Sequence, residues 1–279
     1  MNQTLSPQLT AKRDHLLNLV RDFGSCAVAF SGGVDSAVVA QAAHLALGTK
    51  AVAVTADSPS VAAGEVDDAR ALALQIGIAH RVIRTDEVEK PAYRQNAPDR
   101  CYHCKTELYG RLESMAGELG VAVVAGGTNL DDHGDYRPGL KAAAEHAVRS
   151  PLAEAGITKA EVRQLAAHWG LPVSDKPATP CLSSRIAYGE EVTPARLAMI
   201  DGAEQYLRAA GLPEIRVRYH KGDMARIEVP VSAVARLADP TVREPLVAKF
   251  RALGFKYVTL DLEGFRSGSN NAVLPIVTL

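Results

Sequence analysis

Apolar residues recur at roughly helical spacing over residues 9–23 and predict an amphipathic lead-in helix. Short runs rich in alanine and β-branched residues follow at 26–30, 51–55, 80–83 and 121–125, and these predict strands. Helical patterns fill the intervals, at 36–47, 63–76 and 105–119. Strands alternating with helices imply a parallel sheet covered on both faces, the α/β, Rossmann-like class. Ligands of such sheets sit beyond the carboxyl ends of the strands.

Further along, Thr158 and Glu161 stand at the spacing of a capping box, so a helix should run from there to about Trp169, where Gly170 and Pro172 stop it. Residues 171–193 carry Pro172, Pro177 and Pro180 and no periodicity, and a stretch this long without regular structure is usually functional or disordered. Thr193 followed by Pro194 starts another helix, ending near Gly211. IRVRYH and ARIEV then alternate as strands, TVREPLVAKFRALG reads as a helix and KYVTLDL as a strand. The pattern divides the chain into a larger α/β domain over residues 1–189 and a smaller C-terminal α+β domain over residues 190–279. No internal repeat or low-complexity tract is evident.

Composition narrows the partners. The 279 residues are 47% hydrophobic, enough for one large core or two modest ones. Lys and Arg total 31 against 32 Asp and Glu, so no overall field draws a polyanion, and aromatics at 5% offer few platforms for unpaired bases. No nucleic-acid partner is expected. The amino terminus lacks the pattern of a secretory signal and no apolar run reaches membrane-span length, so a cytoplasmic protein with no membrane partner is expected. In that compartment four cysteines read as chemistry or metal ligation rather than disulfides.

The sharpest motif follows the first strand, where Ser31, Gly32, Gly33, Val34, Asp35 and Ser36 open into a helix. Two glycines let the backbone approach phosphate oxygens, and the helix start supplies unpaired N–H groups with partial positive charge. Ser31 and Ser36 add hydroxyls, while Asp35 could hold a Mg²⁺ that shields the phosphates. A plain glycine turn with a capping serine explains the glycines but not the hexapeptide, and neither the Walker nor the dinucleotide pattern is present. After the fourth predicted strand, Gly126, Gly127, Thr128, Asn129, Leu130, Asp131 and Asp132 crowd a strand end where they could contact a nucleotide or a metal. Arg137 beyond them suits a phosphate clamp through its planar fork. SGGVDS resembles the signature of the PP-loop ATP-pyrophosphatases, adenine nucleotide alpha hydrolase-like proteins, and that resemblance implies cleavage of ATP between its α- and β-phosphates.

The cysteines add a second chemistry. Cys26 falls in the first strand and reads as a small buried hydrophobe. Cys101 and Cys104 form a CxxC just before a predicted helix, a spacing shared by redox pairs and half zinc sites, and Cys181 lies in the proline-rich stretch. Three thiolates can hold three irons of a [4Fe-4S] cluster and leave the fourth open; a zinc site with His103 as fourth ligand is the structural alternative.

Taken together, CYHCKTELYG, GGTNLDDHGDYRPGLKAAAEHAVRSPLAEAGITKAEVRQLA and DKPATPCLSSRIAYGEEVTPARL resemble the LarE family of sulfur transferases, and with SGGVDS they cover most of residues 25–230. The resemblance implies that ATP adenylylates a carboxylate of pyridinium-3,5-biscarboxylic acid mononucleotide, which sulfur then converts to a thiocarboxylate of the nickel-pincer cofactor. Members with one cysteine at the place of Cys181 give up its sulfur. Members with three use a [4Fe-4S] cluster, and Cys101, Cys104 and Cys181 place this chain with them. By the same resemblance Arg216 and Arg218 receive the mononucleotide phosphate, Glu228 adds an acidic metal or substrate site, and the assembly is a homo-oligomer, a hexamer. The sulfide donor is not implied. Rival readings are another PP-loop enzyme, for tRNA thiolation or NAD synthetase-like amidation, and a regulatory ATP- or AMP-binding module without catalysis.

Overall fold

The computed structural model describes residues 4–134, 138–212 and 214–266. In chain order its elements are α1 (Pro7–Asp22), β1 (Cys26–Ala29), α2 (Val34–Leu47), β2 (Ala51–Asp57), α3 (Glu65–Ile76), β3 (Ala79–Arg84), α4 (Pro91–Arg94), α5 (Arg100–Leu119), β4 (Val123–Ala125), α6 (Pro138–Glu145), α7 (Pro151–Glu154) and α8 (Lys159–His168). Then come α9 (Pro194–Ala209), β5 (Arg216–His220), β6 (Met224–Glu228), α10 (Val231–Ala238), α11 (Pro240–Ala252) and β7 (Tyr257–Leu260), with short 3₁₀ turns between. They form two compact units, Met1–Glu87 with Asp99–Thr179, and Val88–Pro98 with Pro180–Leu279.

The first unit is built on a parallel sheet in the order β3-β2-β1-β4. Its inner strands β1 and β2 are covered on both faces, as the sequence pattern predicts, whereas the edge strand β3 leaves Ala79, Arg81 and Arg84 exposed. Cys26, Val28, Ala51 and Ala53 enter one apolar cluster with Leu16, Val38, Leu72 and Leu165, while Ala27, Val52 and Val54 enter another with Tyr109, Leu112 and Ala142. That alternation is the period-2 geometry of a strand, which sends neighbouring residues to opposite faces.

Two expectations change in detail. The fourth strand starts at Val123 rather than residue 121, because α5 ends on Gly120 in the left-handed region (φ 64°) and Val121 gives its amide to the carbonyl of Ala116 at 3.1 Å. That closing turn takes the residue a ladder would need. The helix expected from residue 105 begins at Arg100, so Cys101 and Cys104 lie within its first two turns rather than ahead of it. Asp99 caps it without a side-chain bond.

The second unit carries a three-stranded sheet, order β5-β6-β7, antiparallel between β5 and β6 and parallel between β6 and β7. Residues 88–98, which lie between β3 and α5 in sequence, pack here: the hydroxyls of Tyr93 and Ser183 meet at 2.6 Å, and the Asn96 amide donates to the carbonyl of Ala187 at 2.9 Å. Helix α10, bounded by Pro230 and Pro240, has no counterpart in the sequence expectation.

Candidate functional site

In the first unit the turn after β1 is shaped by Gly32, whose φ of 71° favours a residue without Cβ, and by Gly33, the N-cap of α2. Ser36 secures the turn from inside the helix. Its hydroxyl donates to the Gly33 carbonyl at 3.0 Å and accepts the Ser31 amide at 3.3 Å. From beneath, the buried hydroxyl of Thr55 on β2 donates to the Phe30 carbonyl at 2.7 Å, so the ring Nε2 of His80, 2.8 Å away, must donate to Thr55. The outcome is a loop whose amides open at the amino end of a 14-residue helix, the arrangement that suits an anion.

The chain after β4 closes on this loop. A Cβ at Gly127 would stand 2.9 Å from the Ser36 amide nitrogen and 3.1 Å from the Asp35 Cβ, so only glycine lets the two backbones approach this closely. Thr128 is half-buried and its carbonyl accepts the Ala153 amide at 3.3 Å. Asn129 donates its side-chain N–H to Asp35 at 3.1 Å, and Lys159, first residue of α8, forms an ion pair with the same carboxylate. The Thr158–Glu161 capping box predicted from sequence is present and fixes the start of that helix. Ser31, Gly32, Gly33, Asp35, Ser36 and Gly127 are thus brought together around one helix start. Lys159 joins them unforeseen; its only sequence signal was its place directly after a recognised cap. Arg137 lies outside the described residues.

The cysteines divide. Cys26 has no exposed surface, and burial pushes its thiol up to about 12, as befits a residue that packs rather than reacts. Cys101 is exposed and Cys104 partly so, one turn apart on the same face of α5, with His103 beside them 3.5 Å from the Asp99 carboxylate. Cys181, also partly exposed, belongs to the second unit, where it precedes the 3₁₀ turn Leu182–Arg185. Among the described residues no group of three or more His, Cys, Asp or Glu side chains is gathered to hold a metal ion.

The second unit gathers guanidinium groups around that turn. Arg185 and Glu204 form an ion pair with no exposed side-chain surface, and Arg208 reaches the same carboxylate at 2.8 Å. Arg218 donates to the Ser184 carbonyl and to Glu228, both at 3.0 Å, and Arg226 meets the other oxygen of Glu228 at 3.1 Å. Glu228 is fully buried between two arginines. Arg216 shares the strand face of Arg218 and lies over the Phe265 ring. Burial, reinforced by the charges of Arg185, Arg218 and Arg208 and opposed by Glu204, lowers Arg216 to about 10. Such a site gains from an anion.

Sequence comparisons place the chain among known proteins. The NAD synthase family model matches residues 10–111, which span the nucleotide-type loop. The chain is 41% identical over 268 residues to the pyridinium-3,5-bisthiocarboxylic acid mononucleotide synthase of Lactiplantibacillus plantarum, covering 95% of this chain and 96% of that one. An uncharacterized protein of Synechocystis sp. is 47% identical over 266 residues, 95% of this chain and 99% of its own length. The tRNA-specific 2-thiouridylase of Rickettsia peacockii is 30% identical over 200 residues, 58% of this chain and 54% of that enzyme.

Proposed function

The chain belongs to the LarE family, that of the pyridinium-3,5-bisthiocarboxylic acid mononucleotide synthase, and from that premise we propose that it adenylylates the carboxylates of pyridinium-3,5-biscarboxylic acid mononucleotide with ATP and exchanges the activated oxygen for sulfur. The observation that carries this reading is the loop at residues 31–36, opened at the start of α2 and pressed against Gly127. A backbone so arranged can take the β- and γ-phosphates on its amides. Asp35, one quarter exposed in the first turn of α2, supplies a carboxylate for a Mg²⁺ whose other ligands are phosphate oxygens and water. Lys159 stands beside it as a cation for the leaving pyrophosphate.

The substrate carboxylate attacks the α-phosphorus, the bond to the β-phosphate oxygen breaks, and pyrophosphate leaves. The acyl-adenylate turns a poor electrophile into one from which AMP departs readily. Sulfur then attacks the acyl carbon and the thiocarboxylate is released. Adenylylation requires no general base, because the carboxylate enters ionised.

Two units suggest a division of labour: nucleotide in the larger α/β domain, substrate phosphate on Arg216 and Arg218 in the smaller. Charge supports the second assignment, since a phosphate on Arg216 and Arg218 offsets the like charges that press on Arg216. For sulfur we propose a [4Fe-4S] cluster on Cys101, Cys104 and Cys181. The donor set suits it in chemistry: three thiols, none buried, two of them one helical turn apart. When bound, such a cluster would carry sulfide on its open iron. The same reading assigns a cytoplasmic homo-oligomer, a hexamer by family resemblance, which light scattering checks directly.

Incubation of the chain with Mg-ATP and the biscarboxylic mononucleotide should release pyrophosphate and AMP; ADP and orthophosphate would overturn the adenylylation scheme. Anaerobic purification with iron and sulfide analysis tests the sulfur source. A colourless, active protein that loses the Cys181 sulfur in each turnover would replace the cluster by a sacrificial cysteine.

A further inference from the structure

Cys181 sits on a turn that is held from below with unusual completeness. Its carbonyl oxygen accepts from the Arg185 guanidinium at 3.0 Å, from the Ser184 hydroxyl at 2.7 Å and from the Ser184 amide at 3.0 Å. The same Arg185 nitrogen spends its other hydrogen on the Pro180 carbonyl and lies 3.1 Å from the Ser184 hydroxyl. Both peptides flanking the cysteine are therefore anchored by one side chain.

Arg185 is itself immobilised. Its Nε and second terminal nitrogen grip the two oxygens of Glu204 at 3.0 and 3.2 Å, a forked pairing that fixes the plane of the guanidinium. Glu204 is held in turn from α9 and β5, by Arg208 at 2.8 Å and by the Val217 amide at 3.1 Å. A buried ion pair adds little net stability, because desolvation offsets its attraction. What such a pair does supply is direction, and here the remaining donor points at the cysteine's own carbonyl. With φ at −58° and ψ at 158° so pinned, the thiol keeps only the rotation about its Cα–Cβ bond.

We infer that Arg185, oriented by Glu204, is a positioning residue for sulfur transfer, fixing the peptide at Cys181 so that its thiol is presented in one place. The inference rests on the proposed function, since it gives Cys181 a part in the sulfur step. It separates the two half-reactions. Adenylylation draws on the loop at 31–36 in the first unit, whereas the clamp acts on the turn in the second; because Glu204 and Ser184 also touch β5 and Arg218, the half-reactions are compared at saturating substrate.

The test uses R185K, which keeps the charge and loses the fork, and S184A, which removes one donor to the Cys181 carbonyl and leaves the ion pair intact. Each is compared with the unaltered chain by single-turnover pyrophosphate release and thiocarboxylate formation at saturating substrate, and by hydrogen exchange of amides 182–186 in protein without bound substrate. In R185K the pyrophosphate burst should stay within about threefold while thiocarboxylate formation falls about tenfold or more, the scale expected of a displaced reacting group. S184A should show the same split at about threefold, and exchange at 182–186 should quicken in both. An unchanged sulfur step, or a sulfur step and burst that fall in parallel, overturns the inference; should R185K fail to fold, S184A decides alone. If the unaltered chain releases no pyrophosphate with this substrate, the proposed function fails, and exchange at 182–186 that is the same in variants and unaltered chain would then sink the clamp as well.

Discussion

Replacing Gly127 with alanine perturbs the loop at residues 31–36 at one calculable point. The added Cβ would lie 2.9 Å from the Ser36 amide nitrogen, 3.1 Å from the Asp35 Cβ and 3.2 Å from its carbonyl carbon. These are atoms of a helix's first turn, so no side-chain rotation relieves them. An ordinary separation of about 3.5 Å requires the two backbones to part by about half an ångström. Overpacking of that order costs about 1–3 kcal/mol and should lower the melting temperature by about 2–10 °C. It also drags the neighbouring Asn129, which holds Asp35 at 3.1 Å, away from that loop. A shift of about half an ångström at a reacting group corresponds to roughly a tenfold loss in kcat/KM for pyrophosphate release, given about a hundredfold for one ångström. Gly126 provides the comparison, for its Cβ would meet Val148 at 3.5 Å and the Tyr109 hydroxyl at 3.7 Å, both ordinary contacts. Scanning fluorimetry and a coupled pyrophosphate assay on G127A and G126A decide the matter. Equal stability and activity in the two variants would refute the close-approach reasoning.

Lys159→Ala should leave the melting temperature within about 2 °C, because an ion pair whose side chains are 36% and 25% exposed contributes about 1 kcal/mol at most. Its affinity for Mg-ATP by calorimetry should weaken about tenfold, and an unchanged Kd would remove Lys159 from the phosphate site. Glu204→Ala strands the buried guanidinium of Arg185 and should cost about 3–5 kcal/mol in denaturant titration, where a loss below about 1 kcal/mol would contradict its role as that charge's counterion. Cys26 supplies a pH test: its thiol is raised from 9.0 to about 12, so the folded chain keeps a proton that the unfolded chain releases. That contribution is complete below pH 9 and declines at about 1.4 kcal/mol per unit above it. Between pH 9 and 10.5 the unaltered chain should therefore lose about 2 kcal/mol more than Cys26→Ala, and parallel stability curves would show that the thiol ionises freely.

Local signals carried much of the architecture. The strands were legible because Ala27, Val28, Val52 and Val54 belong to continuous apolar runs, which only a sheet buried on both faces needs. Thr158 and Glu161 announced a helix start because a capping box is closed within four residues. The start of α5 was read five residues late, since Cys101, Tyr102 and His103 have weak helix propensity and Asp99 makes no side-chain cap bond to mark the boundary. Nothing in residues 88–98 announced that Tyr93 and Asn96 would bond to partners 90 positions further on.

The site divides along the same line. Ser31, Gly32, Gly33 and Ser36 are contiguous, and their chemistry reads off the string. Lys159 meets Asp35 across 124 positions, and no periodicity couples a residue in one helix start to a residue in another. Glu204 is the harder case, because a carboxylate within a helix ordinarily belongs to the solvated face. Its burial makes sense only once Arg185, Arg208 and the Val217 amide converge on it from three separate segments. A charge can be buried when partners of opposite sign surround it, and those partners are a property of the fold rather than of the neighbouring sequence. The candidate site residues thus stand out by type and spacing, whereas the contacts that hold them in place can be found only where distant segments meet.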